Sequence, residues 1–196
     1  RRRGRGPGVS VVAKEPRAGG VLGEIGVPRL FAVGAVVVLA LALQSTVLSY
    51  ATILGVIPQL VLVVVLCLAF TDGERVGLVA GFFGGLLQDL QLPEGSIVGL
   101  YALVYTLVGY SVGMMREYTP AESVWTPVIT VAGASAVVEL SYAGLSIILG
   151  QQWIGLNTTF KVIGLVVLYN TLLTPLVFPF VKRVADRYRP ERVHRW

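Results

Sequence analysis

Apolar residues gather in six long runs, at about 30–48, 53–70, 76–90, 97–115, 124–149 and 159–181, separated by short segments rich in Gly, Pro and charge. A helix needs about 20 apolar residues to cross about 30 Å of hydrocarbon. The pattern therefore predicts an all-α integral membrane protein of six transmembrane helices. The third run is the shortest; its fifteen or so residues reach only about 22 Å, so it is expected to tilt inward or be covered by protein. Within it Gly77, Gly81 and Gly85 recur every four residues, and Asp89 takes the next step. One helical stripe thus runs small, small, small, acidic. The fourth run repeats the device with Gly95, Gly99, Ala102, Thr106, Gly109 and Gly113. Such small-residue seams let helix backbones approach closely, and both are expected to pack helices, within the chain or from a partner.

Composition agrees with the pattern. The chain has 196 residues, 55% apolar and 14% charged, with a mean hydropathy of +0.75, outside the usual range of a soluble domain. Six spans use nearly all of that length, which divides into a disordered basic cytoplasmic tail (1–28), a six-helix membrane domain (29–185) and a second basic cytoplasmic tail (186–196). The net charge of +5 does not point to nucleic acid, because of where the charges lie. With both termini cytoplasmic, every Lys and Arg except Lys161 falls on one side, including Arg75 and Arg116 in short loops, as the positive-inside rule requires. Cys67 stands alone in an apolar run and His194 alone in the basic tail. Disulfides within the chain, thiolate metal cages and a histidine base in the membrane are all excluded.

Ionisable groups inside a membrane are costly and are candidates for function. Here they are Asp89 and Glu139, with Gln44, Gln88, Lys161 and Asn170 as polar company. The topology puts Gln44, Asp89 and Lys161 in the outer half and Glu139 just beyond the middle of the fifth span, on a seam with Ala132, Ala136, Ala143 and Ser146. These residues could bind a partner helix or a solute. Alternatively, Lys161 neutralises Asp89 or Glu139, with Glu139 the expected partner, and the pair only fixes helix register. Pro58, Pro127, Pro175 and Pro179 should kink or open their helices, with Asn170, Thr171 and Thr174 placed to bond the carbonyls that Pro175 frees. No HExxH, Ser–His pair, phosphate loop or paired aspartates on one helix occurs. Asp72-Gly73 with Arg75 matches only the start of a phospholipid-head-group transferase motif. The chain reads as a non-enzyme that needs no cofactor and no metal.

The run Gly81-Phe82-Phe83-Gly84-Gly85-Leu86-Leu87-Gln88-Asp89-Leu90, then Gly99-Leu100-Tyr101-Ala102-Leu103, Gly109-Tyr110 and Gly113, with Pro58 and Tyr169-Asn170-Thr171-Leu172-Leu173-Thr174-Pro175-Leu176, resembles the rod shape-determining protein MreD family of the bacterial inner membrane. The resemblance covers about residues 29–185. It implies a multi-pass scaffold of the cell-elongation machinery that makes peptidoglycan. The implied partners are the single-span protein MreC, the glycosyltransferase RodA with its paired transpeptidase, the cytoskeletal protein MreB and the bilayer itself. It also implies a fold similar to the substrate-binding subunits of energy-coupling-factor vitamin transporters. A solute-binding subunit of that kind is the alternative reading, against which the short outer loop at 49–52 counts, since a solute pocket usually needs a lid.

Overall fold

The computed structural model describes residues 26–48, 50, 55–92, 96–119, 125–151 and 155–187. Gly95, Glu94, His194 and most of both expected tails lie outside these residues. Among the described residues six α-helices follow one another: α1 (Val27–Leu43, prolonged by a π-type turn, Gln44–Leu48), α2 (Leu60–Asp72), α3 (Glu74–Asp89), α4 (Leu100–Met115), α5 (Trp125–Ile148) and α6 (Leu156–Arg187). No β-strand occurs among the described residues.

Local chemistry sets the boundaries. Pro28 sits in the first turn of α1, where its missing N–H costs nothing. Pro58 does not kink the second helix as expected; it lies ahead of α2, which starts at Leu60 and not near residue 53, because the fixed ring cannot continue a helix from its own N-terminal side. Pro127 falls in the first turn of α5 and is equally harmless. Gly73, with φ of +96°, ends α2 and begins α3 within one residue, a backbone conformation that a side chain would strain. Pro175 and Pro179 lie inside a continuous α6.

Neighbouring helices run antiparallel. Arg29 at the start of α1 forms an ion pair with Asp72 at the end of α2, while Gln44 at the far end of α1 bonds the start of α2. Ser135 meets Asn170 between α5 and α6. The alternation brings Arg29, Arg75, Arg116, Lys182, Arg183 and Arg187 to one end of the bundle and leaves Lys161 at the other.

Three stretches, Val27–Leu48, Trp125–Ile148 and Asn157–Arg187, are long and apolar enough to cross a membrane. Phe31, Ile129, Leu140, Leu172 and Leu176 point outward from them and are exposed, as lipid-facing residues would be. The helices α2, α3 and α4 are shorter, at 13, 16 and 16 residues. The third helix is covered on its glycine-bearing face, and the helix enclosed most fully is its neighbour α2. Eleven of the 13 residues of α2 are buried, and it touches all five other helices. At 13 residues, about 20 Å long, it falls short of the hydrocarbon thickness and is enclosed by its neighbours. In contrast, α3 buries one face and exposes Phe82 and Phe83.

Candidate functional site

The two small-residue seams are turned toward each other. A Cβ on Gly81 would fall inside the backbone of Tyr105 and Thr106, one on Gly85 inside that of Tyr101 and Ala102, and one on Gly77 against the carbonyl of Gly109. From the other side, Gly109 faces the backbone of Gly77, and Gly113 that of Gly73 and Glu74. Among the described residues no other helix pair packs as extensively as α3 and α4. Close approach of this kind gains dispersion contact along both backbones, and only glycine permits it. Gly84, one step off the seam, receives Val61 and Val65 of α2 and Val37 of α1. The seam glycines Gly77, Gly81, Gly85, Gly109 and Gly113 are therefore used within the chain and present no open face. Gly99 departs from the expected seam: it precedes α4 with φ of +100° and has no atom within 4 Å of where its Cβ would be.

Asp89 completes this pair of helices. Its carboxylate accepts the backbone N–H groups of Gly99, Tyr101 and Ala102, each at 3.0 Å. These are donors that the first turn of α4 cannot satisfy internally, and an anion there also meets the positive end of the helix dipole. The acidic step after three glycines thus caps the next helix across the loop.

A second polar group gathers at the start of α2. Gln59, which follows Pro58, donates from Nε2 to Glu139 Oε1 at 2.7 Å, and its Oε1 accepts the Tyr105 hydroxyl at 3.2 Å. Its backbone N–H donates to Asn170 Oδ1, and Asn170 Nδ2 donates to Ser135 Oγ at 3.0 Å. Gln44 Oε1 accepts the N–H of Val61, while its Nε2 donates to Gln88 Oε1 at 2.9 Å. Gln44 and Asn170, from α1 and α6, thereby occupy two of the orphan donors at the start of a buried helix. Tyr101 and Tyr142 stack at 4.0 Å between ring centres and join α4 to α5 beside Glu139.

Of the expected polar cluster, Gln44, Glu139 and Asn170 meet in or beside this network, and Gln88 joins it through Gln44. Lys161 does not. It is exposed on α6, and the described residues place no ion pair between it and Glu139 or Asp89. The expected Lys161–Glu139 pair is replaced by an amide, because Gln59 satisfies the carboxylate without desolvating a second charge. Glu139 is buried and faces protein, and Ala143 and Ser146 of its expected seam line a cavity with it. The hydroxyls of Thr171 and Thr174 donate to the carbonyls of Val167 and Asn170; the side chain of Asn170 serves the helix contacts and not Pro175. Gln59, Ser135, Tyr105 and the Arg29–Asp72 pair were not among the expected site residues. An amide lodged between Pro58 and a wholly apolar run was the available signal for Gln59.

A cavity of about 700 Å³ opens beside the network, with Gln44, Gln59, Gln88, Gln91, Tyr101 and Glu139 among its walls. A shallow furrow of about 380 Å³ separates α4 from α5 and is lined by Leu103, Leu107, Ser141, Gly144, Leu145 and Ile148. Among the described residues no group of three or more His, Cys, Asp or Glu could hold a metal ion.

The family model for the rod shape-determining protein MreD matches residues 28–184. No curated protein and no solved structure matches the chain.

Proposed function

Because the chain belongs to the MreD family of rod shape-determining membrane proteins, we propose that it is a non-enzymatic scaffold of the bacterial cell-elongation machinery. In this role it lies in the inner membrane with six spans and both ends cytoplasmic, binds a single-span protein of the MreC type, and supports RodA with its paired transpeptidase. The family match over residues 28–184 carries this reading. The antiparallel order of the helices and the gathering of basic residues at one end support the orientation. The seam glycines are occupied within the chain, so the partner helix is assigned to the α4–α5 furrow, where Ser141 and Gly144 are small and no atom lies within 4 Å of a Cβ on Gly144. Affinity purification in mild detergent tests the reading. A single-span protein of the MreC type should accompany the chain, and Gly144→Leu should lower its recovery without changing the melting temperature of the chain alone. Absence of any such protein would overturn the scaffold reading.

The cavity beside Glu139 is the observation that favours a solute-binding subunit of the energy-coupling-factor type. Its walls weigh against that role: Gln44 and Gln59 are spent on Gln88, Glu139, Tyr105 and the backbone of Val61, leaving few convergent groups to recognise a solute.

A further inference from the structure

We propose that the furrow between α1 and α6 binds an anionic phospholipid, with one acyl chain along the furrow and its phosphate held by Arg183 and Arg187. The furrow has a volume of about 460 Å³; its walls are Ala35 and Val36 of α1 with Phe180 and Val184 of α6, and Arg183 and Arg187, both exposed, complete its lining. It exists because α1 and α6 touch only lightly while both pack on α2. The two arginines are four residues apart on one helix, so they share a face one turn apart. Guanidinium groups suit this task better than ammonium groups, since their planar forks bond phosphate oxygens in pairs. An apolar trough with two cations in its lining, one of them at the end of α6, matches the two parts of a lipid, an apolar tail and a phosphate. Basic pockets between membrane helices bind lipid head groups in this way. Of the two possible sources of phosphate, the apolar floor selects the lipid over a free anion. The cytoplasmic leaflet follows from the orientation proposed above, but binding itself does not depend on it.

The test uses the full chain, delipidated in detergent and titrated with phosphatidylglycerol, phosphatidylcholine or inorganic phosphate, with bound lipid counted by native mass spectrometry. Phosphatidylglycerol should be retained in preference to phosphatidylcholine, and inorganic phosphate should not compete. Arg183→Gln and Arg187→Gln should each weaken retention about fivefold, and together about twenty-five-fold. Ala35→Trp fills the trough while keeping both charges and should also abolish the preference. The charge-matched pair Arg192→Gln and Arg195→Gln in the tail should leave it unchanged. Equal loss in the tail variant, full retention by Ala35→Trp, or competition by inorganic phosphate would each overturn the site, because the attraction would then be diffuse charge or a simple anion.

Discussion

Between α3 and α4 backbone lies on backbone, while at the start of α2 side chains from α1, α3, α4, α5 and α6 reach in to bond one another and the helix end. The first interface is made of absences: no Cβ at Gly77, Gly81, Gly85 or Gly109. The second is made of specific donors and acceptors, with Gln59 joined at once to Glu139, Tyr105 and Asn170. In a membrane, where lipid tails are as apolar as leucine, neither can rest on the hydrophobic effect between helices. The first depends on close contact over a long stripe and the second on satisfying polar groups that have no water. One should therefore fail by overpacking, and the other by leaving partners stranded.

The largest effect that sharpens this contrast concerns the glycines. Gly77→Ala, Gly81→Ala and Gly85→Ala should each destabilise the chain by about 1 to 3 kcal/mol, since the added methyl meets backbone that cannot yield. Gly133→Ala, Gly144→Ala and Gly164→Ala, with no atom within 4 Å of the new methyl, should stay within about 0.5 kcal/mol. Thermal melts in detergent compare the two sets, and indistinguishable losses would break the distinction between closed and open glycines.

Next comes the network. Gln59→Leu strands the Glu139 carboxylate, the Tyr105 hydroxyl or both, at about 1 to 3 kcal/mol for a buried polar group without a partner. The double change with Glu139→Leu should recover part of that loss. A double variant as unstable as the sum of the singles would show that Gln59 and Glu139 are not coupled.

Asp89→Ala should cost about 0.5 to 2 kcal/mol, as other lost helix caps do, and Asp89→Asn less. Hydrogen exchange should report the loss at Gly99, Tyr101 and Ala102; unchanged protection there would remove the cap from the account. The smallest effect belongs to Lys161→Met, expected within about 0.5 kcal/mol because the residue is exposed on α6. A loss of several kcal/mol would restore the ion pair with Glu139.

The same contrast explains what could be read from the sequence. The glycine seam was legible because a period of four is local, and the acidic step at Asp89 stood out for the same reason, although its service to the next helix did not. The six helices among the described residues fall within the apolar runs, but the central place of α2 was not legible: its residues look like those of any lipid-facing span, and only its shortness after Pro58 sets it apart. The network at Gln59 draws on residues up to 111 apart, and nothing in a single sequence joins Gln59 to Asn170. Charge was the misleading signal. Lys161 and Glu139 are opposite in sign and both lie in apolar runs, yet an amide offers a buried carboxylate a hydrogen bond without the cost of burying a second ion.

Whether the glycine seam is spent inside the chain is decided by melting the Gly81→Leu variant alone in detergent, beside the parent chain, with no partner present. The melting temperature should fall clearly, because the side chain would be driven into the backbone of Tyr105. A melting temperature equal to that of the parent, with partner recovery lost, would contradict it and make the seam a surface for another protein.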